Sequence, residues 1–392
     1  MRAGWEYKKI KEVCSFIGDG DWIESKDQSD SGIRLIQTGN IGTGIYRDKA
    51  DKVKYISNAT FSQLSCTEIF EGDCLLSRLP DPIGRSCLLP KLNVRTITAV
   101  DCTILRFKAD VLPTFFVYYT QSNSYYKDIL SKTTGTTRKR ISRKNLEKIG
   151  IPIPPKPTQL SIVSELDKLN ELIQIKKEQL KDYDALAQSI FYEMFGDPVV
   201  NEKGWEMKKL KDISRKIGDG LHGTPEYSEL DTGWYFINGN NLENGCISIK
   251  STTKKVTDFV RKKYYVEMDD FTLLVSINGT LGKSAFYNGE NVILGKSACY
   301  IKLNKDVNKL FIYEIIRGEY FKRYAESVCT GTTIRNVSLK AMREFPIIYP
   351  PLPLQHSFAQ KIEQIEQQKA AIQKTITDLE TLLAARMQYW FD

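Results

Sequence analysis

Two long segments of the chain carry the same spacing of apolar side chains. Apolar residues return after alternating steps of three and four positions between Ile162 and Met194, and again between Phe358 and Trp390. This spacing collects the apolar side chains on one stripe of a helix, as in the a and d positions of a coiled coil. The stripes are predicted to contain Ile162, Leu166, Leu169, Ile173, Leu180, Tyr183 and Ile190 in the first helix, and Phe358, Ile362, Ile365, Ile372, Ile376, Leu379 and Leu383 in the second.

The two helices are predicted to pair with each other in antiparallel orientation. Each segment runs for about 38 residues without proline or internal glycine, which corresponds to a helix of roughly 55–60 Å. Such helices are too long for one domain's face, although packing on a single domain is the commoner arrangement of an amphipathic helix. Lys176, Lys369 and Arg386 interrupt the stripes. These cations either fix the register of the pair or extend their charges outward, and we favour the outward orientation.

The segments that precede the two helices repeat each other. Residues 5–11 and 205–211 share the pattern Trp-Glu-x-Lys-Lys-apolar-Lys, and residues 17–20 and 217–220 both read Ile-Gly-Asp-Gly. Further correspondences are Gly39-Asn40 with Gly239-Asn240, Leu75-Leu76-Ser77 with Leu274-Val275-Ser276, Gly84-Arg85 with Gly282-Lys283, and Cys102-Thr103-Ile104 with Cys299-Tyr300-Ile301. Proline clusters at 154–157 and 350–353 end the two repeats. The chain is thus predicted to contain a globular domain at 1–155, a helix at 156–196, a second globular domain at 197–353 and a second helix at 354–392.

Each globular segment mixes short strand-like runs with helical patterns. Residues 33–36, 96–107, 273–277 and 298–303 are rich in β-branched and apolar residues, which is typical of strands. Residues 115–130 and 310–327 have the period of amphipathic helices. We predict an α+β fold with two similar mixed domains, related by a pseudo-two-fold axis and separated by the two antiparallel coiled-coil helices.

The charge of the chain is concentrated in the globular segments. The net charge is +8, with 41% hydrophobic and 27% charged residues. Residues 158–196 carry a net charge of −3 and residues 354–392 a net charge of −1, so the rest of the chain carries +12. A basic excess of this kind suits a polyanion-binding surface, whereas ordinary solubility charge is the alternative.

Metal-binding and membrane signals are lacking in the sequence. The chain has eight cysteines without a C-x-x-C pair and only two histidines, a spacing that does not suit tetrahedral zinc. We expect reduced and mostly buried thiols. No apolar run approaches the roughly 18 residues that cross a bilayer, and no signal peptide is evident. We therefore expect a cytoplasmic protein without membrane contact.

Known catalytic motifs do not fit the chain. Residues 279–284 end like a P-loop, but only two residues stand between their glycines, where a P-loop has four. Residues 6–8 and 206–208 have the Glu-x-Lys spacing of some nucleases without the additional carboxylate that holds a divalent ion. The Asn/Asp-Pro-Pro-aromatic motif of an amino-methyltransferase is missing. We expect a protein without catalytic residues that binds no metal or cofactor itself.

A loop rich in hydroxyl groups and cations occurs late in each globular segment. Residues 134–140 read Thr-Gly-Thr-Thr-Arg-Lys-Arg, and residues 330–336 read Thr-Gly-Thr-Thr-Ile-Arg-Asn. Hydroxyl and main-chain N–H groups at a glycine turn can hold phosphate oxygens, and arginine can donate two hydrogen bonds to guanine. The residues predicted to contact DNA are Thr136, Thr137, Arg138, Lys139, Arg140, Thr332, Thr333, Arg335 and Asn336, together with a cluster of Arg78, Arg85 and Arg95 and its counterpart of Asn278, Lys283 and Lys296. A solvated surface charge is the alternative for each single cation.

The ordered duplication of these motifs resembles the specificity subunits of type I restriction-modification enzymes over nearly the whole chain. The motifs are Gly-Asp-Gly-Leu-His-Gly-Thr-Pro at 218–225, Gly239-Asn240, Thr-Gly-Thr-Thr at 330–333, and a long helix that ends Met-Phe-Gly-Asp-Pro at 194–198. The resemblance adds to the predicted DNA contacts Asp19, Gly20, Asn40, Asp219, Gly220, His222, Thr224 and Asn240. The first copy has Asp-Trp-Ile at 21–23 in place of the Leu-His-Gly-Thr-Pro continuation, which indicates that the copies read different DNA sequences.

The resemblance also implies a function and a set of partners. Residues 1–155 and 197–353 would be target-recognition domains that each read one half of a split, asymmetric site in double-stranded DNA. The helix pair would set the spacer and bind two methyltransferase subunits, which motor-nuclease subunits would join. S-adenosylmethionine, ATP and Mg²⁺ would be bound by those partners. The alternative is a helical scaffold, or the recognition half of another restriction enzyme type, that does not read DNA by itself.

Overall fold

The computed structural model describes residues 4–135, 139–330 and 335–392. The chain divides into two compact units: unit 1 contains Met1–Lys177 and Gln373–Asp392, and unit 2 contains Glu178–Ile372. Each of the two long helices therefore contributes residues to both units. No helix in the described part of the chain is long and apolar enough to cross a membrane.

Unit 1 is built on a four-stranded antiparallel sheet. The strands of this part of the chain are β1 (Glu6–Lys9), β2 (Cys14–Asp19), β3 (Gln28–Ser29), β4 (Ile33–Ile36), β5 (Lys54–Ile56), β6 (Glu68–Ile69), β7 (Cys74–Ser77), β8 (Ser86–Leu88), β9 (Thr96–Thr98), β10 (Cys102–Phe107) and β11 (Gly150–Ile153). The helices are α1 (Ile10–Val13), α2 (Asn58–Gln63), α3 (Pro113–Tyr119), α4 (Asn123–Ser131), α5 (Arg143–Leu146) and α6 (Lys156–Phe195). The central sheet has the order β2-β10-β7-β8; a second sheet has the order β3-β5-β4-β9-β6, and β1 pairs with β11.

Unit 2 repeats this plan. Its strands are β12 (Met207–Lys209), β13 (Ser214–Gly218), β14 (Tyr227–Ser228), β15 (Tyr235–Ile237), β16 (Leu242–Glu243), β17 (Cys246–Ile247), β18 (Lys255–Val256), β19 (Thr272–Ser276), β20 (Ser284–Phe286), β21 (Val292–Leu294), β22 (Ala298–Leu303) and β23 (Pro346–Ile348). The remaining helices are α7 (Asp258–Tyr264), α8 (Lys309–Arg317), α9 (Glu319–Val328), α10 (Leu339–Glu344) and α11 (Leu352–Phe391). The sheet orders β13-β22-β19-β20 and β12-β23 match those of unit 1. The second sheet, β14-β18-β15-β21, matches the first four strands of β3-β5-β4-β9-β6 without a strand in the place of β6, and β16 and β17 form an additional two-stranded sheet. The predicted α+β repeat is confirmed.

The strand register corrects one correspondence by a single residue. In β10, Cys102 lies opposite Ser77, and in β22, Ala298 lies opposite Ser276. Cys102 therefore corresponds to Ala298 and not, as the sequence pattern predicted, to Cys299. Because side chains alternate between the two faces of a sheet, the predicted alignment would have placed equivalent residues on opposite faces.

The two faces of the central sheet in unit 1 pack against different partners. Leu76 and Leu105 face the helices and share a core with Ile162 and Leu166 of α6. On the other face, Leu75, Cys102 and Ile104 pack with residues of the second sheet and its loops, among them Ile36, Ile41 and Ile69. In unit 2 the same division places Val275 and Ile301 with the helices, and Leu274, Ala298 and Tyr300 with the second sheet. The burial of both faces explains the nearly continuous apolar runs of β7 and β19.

Equivalent glutamines fix the start of each long helix. The buried Gln159 accepts a hydrogen bond from the Leu112 N–H at 2.8 Å and donates to the Pro154 carbonyl at 2.9 Å. Gln355 accepts from the Asn308 N–H at 3.0 Å and donates to the Pro350 carbonyl at 2.9 Å. Each glutamine thus ties the first turn of a long helix to the loop before α3 or α8.

The apolar stripes of α6 and α11 lie in contacts, as predicted. Every position of the two stripes is buried or half-buried, including the three cations. In unit 1, Glu165 accepts hydrogen bonds from the Arg386 guanidinium, and Lys177 lies 2.8 Å from Glu380. In unit 2, Asp184 lies 2.9 Å from Lys369, and the rings of Phe191 and Phe358 are 5.7 Å apart. Since higher numbers in α6 meet lower numbers in α11, the helices are antiparallel in each unit.

Two of the three cations on the stripes, Lys369 and Arg386, form ion pairs across the helix pair. Arg386 donates a hydrogen bond to Glu165, and Lys369 donates one to Asp184. Both acceptors lie on the facing helix, α6. The preferred interpretation, that these side chains extend outward into solvent, is therefore wrong for Arg386 and Lys369. Oppositely charged partners at fixed positions favour one register of the pair.

A buried carboxyl group lies in unit 2, next to the contact of α8 with the long helices. Only 8% of the Glu314 side chain is exposed, and its Oε1 is 3.4 Å from Arg317 Nη1 and accepts no hydrogen bond. Burial raises the pKa of Glu314 to about 7, while the positive charge of Arg317 acts in the opposite direction. Glu366 and Asp184 add to the rise, and Lys369 opposes it.

This carboxyl group predicts a pH dependence of stability. An unfolded glutamate ionises at about 4.3, whereas folded Glu314 keeps its proton up to about 7. The folded state thus binds more protons between these values, so its contribution to the free energy of unfolding falls as the pH rises through this window. Glu314→Gln is expected to remove that fall and to make the protein more stable than the unchanged chain at pH 8, with little difference at pH 4.

Urea denaturation at pH 4, 6 and 8 measures this effect. Glu319→Gln is the matched control, because the Glu319 side chain is 52% exposed and lies in the next helix. The control is expected to follow the unchanged protein at all three pH values. An equal pH dependence in Glu314→Gln and the unchanged chain contradicts the prediction.

Candidate nucleic-acid interface

One edge of the central sheet in unit 1 collects several loops. The strands β2 and β7 end at this edge, at Asp19 and Ser77, and the antiparallel β10 begins there at Cys102. The loop after α4 returns to the same edge, because the Ile141 N–H donates to the Arg78 carbonyl at 3.2 Å. We call residues 19–22, 78, 99–101 and 139–143 the first loop edge.

Unit 2 has an equivalent edge. There β13 and β19 end at Gly218 and Ser276, and β22 begins at Ala298. The Val337 N–H donates to the Ile277 carbonyl at 2.8 Å, which repeats the contact of Ile141 with Arg78. We call residues 219–224, 277–279, 295–297 and 335–337 the second loop edge. In each unit the glycine-aspartate segment and the described ends of the hydroxyl-rich loop thus lie at the same end of the sheet, although they are about 110–120 residues apart in the sequence.

The centres of both hydroxyl-rich loops lie outside the described residues. These are Thr136, Thr137 and Arg138 in the first loop, and Thr332 and Thr333 in the second. Their predicted DNA contacts stay predictions. The described ends of the loops are tied together by main-chain hydrogen bonds between Thr134 and Arg140, and between Thr330 and Asn336.

The first loop edge combines exposed cations with two aspartates. Lys139 and Arg140 are exposed, and Arg140 Nη2 lies 2.9 Å from Asp101 Oδ1. Asp19 is 3.6 Å from the Arg78 guanidinium and 3.8 Å from that of Arg143. The aspartates position the guanidinium groups and leave part of each exposed, except that of Arg78. Arg143 was missed by the sequence analysis, although it belongs to the basic run at 138–144.

The second loop edge presents a different set of side chains. His222 Nε2 is 2.8 Å from Asp219 Oδ2, and the His222 side chain is 62% exposed. Arg335 is exposed and pairs with Glu326 at 3.0 Å. The Lys296 N–H donates to the Leu221 carbonyl at 2.9 Å, which places the exposed Lys296 beside His222.

The other predicted residues in unit 2 differ in accessibility. Thr224 is exposed, whereas Lys283, which precedes β20 and lies outside the second loop edge, is half-buried. Asn278 and Asn336 are half-buried and form a β-bridge with each other. The Asn278 Oδ1 atom is buried and accepts no hydrogen bond. Buried carbonyl oxygens normally accept a hydrogen bond. The Oδ1 atom of Asn278 is therefore an acceptor without a donor at this edge.

Arg85 is a structural residue, and its prediction as a DNA contact is corrected. The residue is 7% exposed. Its guanidinium donates to the carbonyls of Ile41 at 2.6 Å, Leu79 at 2.8 Å, Pro82 at 2.9 Å and Thr38 at 2.8 Å. These bonds use four of the five N–H donors of Arg85 to tie the loop after β4 to the loop between β7 and β8, so the guanidinium is not presented to an external phosphate.

The predicted cluster of Arg78, Arg85 and Arg95 does not form at the surface. Arg78 is 4% exposed and donates to the Val100 carbonyl. Arg95 is exposed but lies before β9, at the opposite end of that strand from Asp101, and it donates to both carboxylate oxygens of Glu68. Sequence proximity did not bring the three guanidinium groups together, because each lies at a different point of the sheet.

Two of the predicted polar contacts belong to tight turns. The Asn40 side chain accepts from the Gln37 N–H at 3.0 Å and donates to the Arg47 carbonyl at 3.0 Å. In unit 2, Asn241 makes the same two bonds, to Asn238 and Ser248. The counterpart of Asn40 is therefore Asn241, not Asn240 as predicted. Asn40 is used inside its turn, whereas Asn240 is exposed.

Gly20 and Gly220 are required by a close main-chain approach. A Cβ atom on Gly20 would lie 2.3 Å from the Thr98 carbonyl oxygen, and one on Gly220 would lie 1.9 Å from that of Leu294. These distances are far below a van der Waals contact, so only glycine lets the segment cross the neighbouring strand. Both glycines thus have a structural role, and their predicted DNA contacts stay predictions.

Among residues 4–135, 139–330 and 335–392, no group of three His, Cys, Asp or Glu side chains is arranged to hold a metal ion. The eight cysteines are free thiols, of which Cys14, Cys66, Cys74, Cys87, Cys102 and Cys299 are buried. The prediction of mostly buried, unpaired cysteines is confirmed.

The family of the chain follows from its sequence. The sequence model of the family described as "Type I restriction modification DNA specificity domain" matches twice, at residues 2–182 and 202–381. The chain belongs to this specificity family. Each match covers one set of sheets with its loop edge and much of the long helix that follows it in the sequence.

Other members of the specificity family align over almost the full chain. The specificity subunit of the type I restriction enzyme StySPI of Salmonella potsdam is 23% identical, over 96% of this chain and 85% of that protein. The MjaIX specificity subunit of Methanocaldococcus jannaschii is 24% identical, over 96% of this chain and 90% of that protein.

Solved structures support the fold of the specificity family for this chain. One is a chain from a structure that describes complex assembly and conformational transition of the type I R-M system. It has a TM-score of 0.64 at 16% identity, with 100% of this chain and 98% of that chain covered. The type I S subunit of M. genitalium has a TM-score of 0.54 at 14% identity, with 99% and 96% covered.

Proposed function

We propose that this chain is the DNA specificity subunit of a type I restriction-modification enzyme. The observation that carries the proposal is the double match to the specificity family, each copy with its own loop edge. The first and second loop edges would read the two halves of a bipartite, asymmetric site in double-stranded DNA. Their side chains differ, with Arg140 and Arg143 in one and His222 and Arg335 in the other, so two different half-sites are expected.

The long helices have a separate role in this proposal. The helices α6 and α11 would set the spacer between the half-sites and bind two methyltransferase subunits, to which motor-nuclease subunits attach. Catalysis, S-adenosylmethionine, ATP and Mg²⁺ belong to those partners, and this chain contributes none of the reacting groups. The free thiols agree with a cytoplasmic location, since disulfides are rare there.

Methylome sequencing tests the proposed function. Cells that express this chain with its methyltransferase partners are expected to carry adenine methylation at a split, asymmetric motif. The helical-scaffold alternative predicts methylation without a motif that depends on this chain. The family match favours the specificity subunit over that alternative.

Alanine variants at the loop edges test the assignment of the interface. Arg335→Ala and Arg138→Ala are each expected to weaken binding of the complex to its motif by about 5- to 150-fold, the equivalent of about 1–3 kcal/mol for a lost base contact. Arg95→Ala is the control, because Arg95 is equally cationic but lies at the other end of β9 and is held by Glu68. Equilibrium binding at several salt concentrations measures the effect. Unchanged affinity for both loop variants at every salt concentration contradicts the interface.

A further inference from the structure

An exposed tryptophan follows directly on the anchored part of the first loop edge. The Asp21 N–H donates to the Thr98 carbonyl at 2.8 Å, and Asp21 forms a β-bridge with Ala99. The Asp21 carboxylate also accepts a hydrogen bond from the Thr67 N–H at 2.9 Å. The main chain is therefore fixed immediately before Trp22, which was not among the predicted DNA contacts.

The indole of Trp22 lies on the surface and does not pack into the core. Its exposed fraction is 68%, although an indole offers a large apolar surface that is normally buried. The Nε1–H donates to Glu24 Oε1 at 3.3 Å. Glu24 belongs to a short turn, in which its N–H donates to Asp27 Oδ2 at 2.9 Å. Within the described part of the chain, no aromatic ring or cation stacks on the indole, so its faces are accessible.

The repeat shows which residue takes this place in unit 2. Leu221 makes the same contact as Asp21, with a main-chain hydrogen bond to the carbonyl of Leu294 and a β-bridge to Gly295. Trp22 therefore corresponds to His222. Both side chains leave equivalent anchored segments at the loop edges, but one is a flat apolar ring and the other a small polar one.

The surroundings of Trp22 suit a nucleic acid. Ala99, the bridge partner of Asp21, is two residues from Asp101, which holds Arg140. Asp19, two residues before Asp21 in the sequence, lies 3.8 Å from the Arg143 guanidinium. Cations at such an edge attract the phosphate backbone. A neighbouring aromatic ring can contact base edges in a groove, such as the thymine methyl group, or insert between two base pairs.

We propose that Trp22 is a specificity-determining residue, whose indole packs against bases of the half-site that the first loop edge reads. The inference rests on the proposed function of the chain. It assigns the difference between the half-sites in part to one position of the repeat, where Trp22 stands in one copy and His222 in the other. An exposed tryptophan that binds a partner protein is the competing role.

The test uses the complex of this chain with its methyltransferase subunits and the motif found by methylome sequencing. Trp22→Ala is expected to bind the motif about 5- to 150-fold more weakly, the equivalent of about 1–3 kcal/mol for a lost base contact in duplex DNA. Its discrimination against changes in one half-site should fall, while discrimination in the other half-site is kept. Arg335→Ala identifies that other half-site, because Arg335 lies on the second loop edge.

Fluorescence gives a second readout. Cognate DNA is expected to quench part of the tryptophan emission of the unchanged complex, and Trp22→Phe should lack this part while it keeps most of the affinity. Phe70→Ala is the matched control, since Phe70 is 55% exposed and precedes β7 at the opposite end of the sheet from Arg78. The control should bind and discriminate like the unchanged complex.

Three results overturn the role of Trp22. These are unchanged affinity and discrimination in Trp22→Ala, equal weakening on every DNA sequence, and loss of methyltransferase subunits from the complex with DNA binding retained. The last of these assigns the indole to a protein contact. Failure of the unchanged complex to recognise any motif instead overturns the proposed function, and with it this inference.

Discussion

Arg85→Ala is expected to lower the free energy of unfolding by about 3–5 kcal/mol, because several buried or half-buried carbonyl groups lose their donor and each unsatisfied buried group costs about 1–3 kcal/mol. Four main-chain carbonyls lose their donor at once, at Thr38, Ile41, Leu79 and Pro82. Ile41 and Leu79 are themselves buried, so their carbonyls are shielded from water in the folded protein. Arg85→Lys should recover only part of the loss, since an ammonium group cannot reach carbonyls on several sides.

Urea denaturation of the full chain measures the loss, and the repeat supplies the control. Lys283 takes the place of Arg85 in unit 2, since the Lys283 and Arg85 carbonyls accept equivalent hydrogen bonds from Ser276 and Ser77. Lys283 is half-buried, so Lys283→Ala is expected to change the stability by about 0.5 kcal/mol or less. A loss in Arg85→Ala no larger than in Lys283→Ala contradicts the structural role of Arg85.

Matched deletion of one heptad from each long helix is expected to shorten the DNA spacer by about three base pairs. The deletion removes residues 174–180 from α6 and 370–376 from α11, which correspond to each other in the two stripes. Seven residues shorten a helix by roughly 10.5 Å, and B-DNA rises about 3.4 Å per base pair. The phase of the apolar stripe is kept, because the deletion equals one full heptad.

Methylome sequencing of cells with the shortened chain and its methyltransferase partners measures the spacer. Both half-site sequences should stay the same, since neither loop edge is changed. Deletion of residues 174–180 alone is the control; it leaves helices of unequal length and should abolish methylation at the motif. An unchanged spacer in the double deletion excludes the helix pair as the ruler.

The long helices could be read from the sequence because their signal is local. The stripe positions between Ile162 and Met194 and between Phe358 and Trp390 are buried or half-buried, as their spacing predicted. The contacts of the cations on the stripes could not be predicted in this way. Whether Lys369 meets water or Asp184 depends on the facing helix, which the period of one helix does not describe.

The repeat was also visible in the sequence, but its register was not. Similar residue types near Cys102 and Cys299 suggested an alignment that is wrong by one position, and Asn240 was chosen where Asn241 makes the equivalent bonds. The register of a strand pair is set by its hydrogen bonds. A comparison of the two sequences does not show where a loop gains or loses one residue, so it cannot detect a shift of one position.

The sequence by itself determined the repeated plan, the helix pair and the family, because periodicity and duplicated motifs depend on the order of residues alone. Only the tertiary structure decided which cations and aromatic side chains are accessible at the loop edges. Arg85 and Arg78 are buried, Arg95 lies at the far end of β9, and Trp22 is presented at the first loop edge. The reason is physical: carbonyls from separate loops can satisfy a guanidinium as well as a phosphate can, and their positions are set by packing between segments distant in the sequence.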